Sequence, residues 1–261
     1  LKIAAVLPAY NEAERIADVI RAVRKARWID QIIVVDDGSE DNTAEVAASF
    51  PDVIVVNMKV NRGKGAAMTA GVEQTDADII VFLDADLIGL RPEHVDALVN
   101  PVRTGRAEMV IGKFRGGRRL TDLSQRLAPN INGQRAILRC VFDQIPNLHQ
   151  TRYGVEMAIT RFCRYYRIET TTVSLHGVTH PMKEEKLGLL RGWASRGAMY
   201  AEILRIMLDP RRPRRRKPRM HRFWRRISIA TRRTARSHAS PSWLQRPQAM
   251  WRRKRERSRF V

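Results

Sequence analysis

Cysteine is scarce: Cys140 and Cys163 are the only two in 261 residues. Their spacing fits no metal-ligand pattern, and a chain of this size does not need a disulfide to stay folded, so a reducing compartment is expected. Long apolar runs are missing too, none approaching the roughly 20 residues that span a bilayer. No basic stretch with a cleavable apolar segment stands ahead of the first strand-like run, LKIAAVL. The expected location is therefore cytoplasmic, peripheral at most on the inner membrane face. Several motifs are absent as well. No GxGxxG follows the first strand, which argues against a dinucleotide fold. NRGKGAA has Met58 where a Walker loop needs glycine and lacks the Ser/Thr after Gly-Lys. Neither GxSxG nor HExxH occurs, and there is no internal repeat.

Acids are nearly missing from one region. Residues 211–261 hold 20 of the 48 Lys and Arg but a single acid, Glu256, which leaves 28 bases against 26 acids in the first 210 residues. The net charge of +21 thus belongs to a basic tail on a nearly neutral body.

What is present in the body is alternation. KIAAVL, QIIVV, DVIVVN, DIIVFL and EMVIG read as strands, and amphipathic stretches separate them, such as EAERIADVIRAVRKA with Ile16, Val19, Ile20 and Val23 on one face. Continuous apolar strands alternating with helices predict an α/β fold, a mostly parallel sheet with helices on both faces. The expected organisation is a ligand-binding half over 1–113, a second half over 114–185 with a helix YGVEMAITRFCRYY and a strand ETTTVSL, an amphipathic helix over 186–210, and a basic, disordered tail over 211–261.

In such sheets ligands bind beyond the carboxyl ends of the strands. Four polar loops follow strands there: PAYNEAER, DDGSEDNT, NRGKGAA and DADL. Asp84 and Asp86 end the buried run DIIVFL, and two carboxylates two residues apart on a strand share a side. A diphosphate is repelled by such a pair unless a cation stands between, and oxygen ligands beside phosphate select Mg²⁺ or Mn²⁺. An ordinary reading also exists, a solvated strand end or a cap for the helix PEHVDALV; the three companion loops weigh against it.

These segments, PAYNEA, VVDDGSEDNT, NRGKGAAM and FLDADL, resemble the nucleotide-sugar domain of GT-A glycosyltransferases, family 2 and its relative family 81. The resemblance implies a metal-dependent transfer of a hexose from a nucleotide-sugar, UDP-glucose or a close relative. It implies that Ala9, Tyr10, Asn11 and Glu12 with Asp36 and Asp37 form the base and ribose pocket, that Gly63 and Lys64 contact base or phosphate, and that Asp84 and Asp86 bridge to the metal. In the second half, APNINGQRA, RYGVEMA and THPM are similar to glucosyl-3-phosphoglycerate synthases of family 81. That likeness implies a sugar- or acceptor-facing Glu156 and a metal-ligating His180, with His176 as the other candidate. The Glu-Asp base and the QxxRW element of common family 2 members are not visible. Asp122 and Glu156 are the candidate bases, and the absence of an obvious base leans toward retention of configuration.

Arg115, Arg118 and Arg119 in a Gly-rich loop suit an acceptor phosphate, since guanidinium forks match phosphate oxygens. The phosphate-bearing acceptor is either 3-phosphoglycerate-like or a polyprenyl phosphate or other lipid. Phe223, Trp224, Trp243 and Trp251 interleave with the tail's arginines. An anionic membrane surface is the expected partner of residues 186–261, ahead of nucleic acid or no partner. The alternative function is a catalytically inactive nucleotide-sugar-binding protein acting through that tail.

Overall fold

The computed structural model describes residues 1–115, 133–151 and 154–181, all within one compact unit, Leu1–Arg219. Asp122, Arg118, Arg119, the helix expected over 186–210 and the basic tail lie outside the described residues.

The chain begins with strand β1 (Ile3–Ala9), helix α1 (Ile16–Arg24), β2 (Gln31–Asp36), α2 (Thr43–Ala48) and β3 (Val53–Asn57). Then come α3 (Lys64–Glu73), β4 (Ile79–Phe82), α4 (Pro92–Arg103) and β5 (Met109–Arg115). Next follow β6 (Arg135–Leu138), the short α5 (Arg139–Phe142), a 3₁₀ turn (Leu148–Gln150), α6 (Val155–Tyr166) and β7 (Thr170–His176).

Seven strands form one sheet in the order β3-β2-β1-β4-β6-β5-β7. All pairings are parallel except those of β6, which runs against both β4 and β5. The burial of each strand follows its place. Central β1 and β4 are buried nearly throughout, whereas edge strands β3 and β7 keep exposed positions. The helices bury the stripes their periodicity predicts: α1 sets Ile16, Val19, Ile20 and Val23 inward. It packs on α2 and α4, while α3 lies on β1 and β2 with the 3₁₀ turn.

Register shapes the functional edge. β1 stays level with β2 to the pair Ala9 and Asp36, but β4 leaves the sheet at Phe82, level with Val6. This early exit opens a notch at the carboxyl edge, and the chain from Leu83 onward enters it. Asp84 and Asp86 are thus beyond the strand, in a turn, so that turn, rather than strand alternation, brings their carboxylates together. On the far side of the notch Arg135 pairs with Phe82. Because β6 is reversed, its first residues arrive at the edge where its neighbours end.

Candidate active site

Each strand-following loop is tied down by its own polar side chains. Asp36 accepts from the Ser39 backbone N–H at 3.2 Å and from the Ser39 hydroxyl. Asp37 accepts from the N–H groups of Arg62 and Gly63 at 2.8 and 2.7 Å. Asn11, at a φ of 56°, has its N–H on Ser39 Oγ and its Oδ1 on the Glu40 N–H. The Glu12 N–H reaches Thr43 Oγ1 at 2.8 Å. Buried Ala9 and exposed Tyr10 complete this wall. The PAYNE, DDGSED and NRGK loops therefore form one hydrogen-bonded rim.

Lys64 opens α3 and turns into the notch. Its Nζ lies 2.5 Å from Asp84 Oδ1 and also meets Glu156 Oε1, so the lysine joins the strand-end aspartate to the start of α6. Burial alone would push the Lys64 ammonium down, but Asp84 and Glu156 outweigh it and hold its pKa above the ordinary lysine value. For Asp84 burial works upward, and Lys64 and then His180 outweigh it, holding the carboxyl below its usual range.

His180 completes the cluster. Its Nδ1 lies 2.9 Å from Asp86 Oδ1 and its Nε2 3.4 Å from Asp84 Oδ2. Burial would lower its pKa, but the hydrogen bond to Asp86 and the two carboxylates raise it. Its backbone is placed by a two-residue antiparallel bridge, in which Ile88 N–H donates to Thr179 O at 2.9 Å and Thr179 N–H to Ile88 O at 3.0 Å. The Phe114 ring meets the imidazole edge-on at 5.1 Å. One ligand atom from each of Asp84, Asp86 and His180 lies within 4.8 Å of the others. Two carboxylates and one imidazole in that span fit a divalent cation of the Mg²⁺ and Mn²⁺ kind. Of the two candidate histidines it is His180 that joins the aspartates; His176 ends β7 on the surface.

Arg115 ends β5 exposed, at the same edge as the cluster. Two further residues of the site, Gln134 and Arg135, stand in the APNINGQRA stretch without being singled out by sequence. Gln134 donates to Asp84 Oδ2 at 2.8 Å. Arg135 is wholly buried, with Nη1 on the Glu156 carbonyl oxygen at 3.3 Å. Burial lowers its pKa, opposed first by Glu156. Their signal was a polar pair opening the short apolar run AIL.

A sheet of this topology, an Asp-x-Asp pair after the fourth strand with its ligand atoms grouped beside those of His180, and polar loops at the same edge define the GT-A class of glycosyltransferase folds. The family model for glycosyl transferase family 2 matches residues 4–161, more than half of the sequence, and the chain belongs to that family. Among curated relatives, the undecaprenyl-phosphate 4-deoxy-4-formamido-L-arabinose transferases of Yersinia pestis (strain Pestoides F) and Yersinia enterocolitica are 30% identical over 213 residues, 73% of this chain. The chain spans 64% of the length of those relatives. A solved structure of glucosyl-3-phosphoglycerate synthase from Mycobacterium tuberculosis with Mn²⁺, UDP-glucose and phosphoglyceric acid is 29% identical. It matches with a TM-score of 0.66 over 79% of this chain and 78% of that one. The same synthase with phosphoglyceric acid alone gives a TM-score of 0.65 over 79% of both chains. The sequence resemblance to both groups is thereby borne out.

Proposed function

We propose that the protein transfers a hexose from a nucleoside-diphosphate sugar, with UDP-glucose as the first candidate, to a phosphate-bearing acceptor. The observation that carries this reading is the convergence of Asp84, Asp86 and His180 within 4.8 Å at the carboxyl edge of a mostly parallel sheet. These three residues would hold Mg²⁺ or Mn²⁺. When bound, the cation supplies charge neutralisation for the departing diphosphate. Lys64 keeps Asp84 ionised and oriented toward that position. The rim of Ala9, Tyr10, Asn11, Glu12, Asp36 and Asp37, with Gly63, would enclose the base and ribose.

Glu156, held by Lys64 from the other side, would orient the sugar or the acceptor. Arg115, with Arg118 and Arg119, would bind the acceptor's phosphate, and Asp122 stays a candidate base. Two acceptor classes have support: the Mycobacterium tuberculosis synthase was solved with phosphoglyceric acid, and the Yersinia relatives are named for undecaprenyl phosphate. The basic tail favours attachment to an anionic membrane, where a lipid acceptor would reside. Among the described residues no helix is long and apolar enough to cross a membrane. A binding protein without turnover has less support, since such a protein has no need of the ligand group Asp84, Asp86 and His180.

The test is sugar transfer from a panel of nucleotide-sugars with and without Mn²⁺, paired with calorimetric binding. Asp86→Ala should lower transfer by roughly a hundredfold or more. Full activity in that variant, or activity indifferent to a chelator, would sink the proposal.

A further inference from the structure

Gln134 precedes β6 at the inner wall of the notch and is wholly buried. Its backbone carbonyl accepts from the Gly112 N–H at 2.8 Å, which anchors it to β5. Its Nε2 donates to Asp84 Oδ2 at 2.8 Å. That bond fixes the amide, because the reversed orientation would set two acceptors against each other. Gly133 leaves it no room to withdraw: a Cβ there would lie 2.6 Å from Asp84 Oδ2 and 2.7 Å from Lys64 Nζ. The backbone is pressed directly against the charged pair. Oε1 therefore faces away from Asp84, and no donor among the described residues reaches it. Folded proteins rarely leave a buried carbonyl oxygen without a donor, because the desolvation of that group is then uncompensated.

Granting the glycosyl-transfer reading above, we infer that Gln134 is a substrate-reading residue whose Oε1 accepts a hydrogen bond from a hydroxyl group of the bound substrate. The chemistry is selective. An amide oxygen can only accept, so it repels phosphate and carboxylate oxygens and takes a group that carries a proton. The neighbouring cations and the metal ligands deal with charge, whereas Gln134 reads an uncharged part of the substrate. Two sources carry such a group: the ring of the donor hexose, and the attacking hydroxyl of an alcohol acceptor. An ionised polyprenyl phosphate offers no hydroxyl at its nucleophile, so with such an acceptor the donor hexose is the source.

The experiment compares wild type with Gln134→Met, similar in volume but without polar atoms, on UDP-glucose and its 2-, 3-, 4- and 6-deoxy analogues, reading kcat/KM. Wild type should lose roughly tenfold on one analogue. Gln134→Met should lose a similar factor on the parent donor and become indifferent to that same deoxygenation. Such non-additivity assigns the hydroxyl to the donor. The second arm applies if all donor penalties add. There, weaker binding of 3-phosphoglycerate in the variant, with unchanged binding of its deoxy counterpart 3-phosphooxypropionate, assigns the hydroxyl to the acceptor.

Additive penalties in both arms overturn the inference, as does a loss confined to Mn²⁺ affinity, which would leave Gln134 only its bond to Asp84. Gln134→Asn, which keeps the amide but draws it back by one methylene, serves if the Met variant does not fold. Wild type that neither transfers nor binds any of these nucleotide-sugars overturns the inference together with the function it rests on. Active wild type with additive penalties overturns the inference alone.

Discussion

Lys64 stands between two carboxylates, Asp84 and Glu156, in a notch that shields all three from much of the solvent. Its removal leaves two like charges without their counter-ion. Lys64→Met should destabilise the metal-free protein by about 2–3 kcal/mol, since the pair is mostly but not fully buried. Mn²⁺ should narrow the deficit by supplying a cation to Asp84. The pH dependence has a defined sign. Asp84 is depressed, so its contribution is present above the ordinary carboxylate pKa and is lost as pH falls through the depressed value. The gap between wild type and Lys64→Met should be widest near neutrality and shrink in acid. Thermal melts in chelator and in Mn²⁺ across pH check this, and a gap that is constant with pH and metal would refute the counter-ion role. At this scale the sequence was legible where chemistry is local. Asp84, Asp86 and His180 were nominated from motifs, and the structure gathers them. Lys64 was expected on the base or a phosphate, and its pairing with Glu156, 92 residues away, depends on a tertiary contact that no local pattern encodes.

Among elements, the two-residue bridge between Ile88 and Thr179 has an importance beyond its size, because it carries His180 to the aspartates. Gly89 next to it has a φ of 76°, and a Cβ there would meet the Gly177 carbonyl oxygen at 2.4 Å. Gly89→Ala should push the two loops apart and weaken Mn²⁺ binding by roughly tenfold. Gly177→Ala is the control: its φ is similarly positive at 77°, but nothing lies within 4 Å of a Cβ there, so it suffers only backbone strain. Calorimetric Mn²⁺ titration distinguishes them, and equal losses would refute the bridge as the reason. Strands β1 to β5 were visible as apolar runs, β7 as the Thr-rich stretch ETTTVSL, and helices α1, α4 and α6 as the helical stretches read from the sequence. β6 was hidden: four residues long, it opens with a buried arginine, and polar residues do not announce a central strand. The strand DIIVFL ends earlier than its apolar run suggests, since Leu83 stays buried while following the turn.

At the scale of the whole molecule, charge is segregated, with 20 basic residues and one acid after residue 210. On the proposed reading of the sheet edge, an arginine-rich segment suits an enzyme working beside an anionic lipid surface. Co-sedimentation with vesicles of anionic and of neutral lipid should show the full chain bound to the former only. Ending the chain at Pro210 should remove most of that binding while sparing transfer to a water-soluble acceptor. Unchanged binding would sink the anchoring role. The tail's composition was plain in the sequence, but charge alone specifies no single partner, because membranes and nucleic acids present the same sign of field.

The reversed strand β6 has a consequence for how such a protein can diversify. β5 ends and β6 begins at the same edge of the sheet, so the connection between them starts and finishes at that edge. A lineage can lengthen, shorten or rewrite that connection while every buried strand pair stays as it is. On the proposed reading, rewriting that connection changes the acceptor side and leaves the donor side as it is.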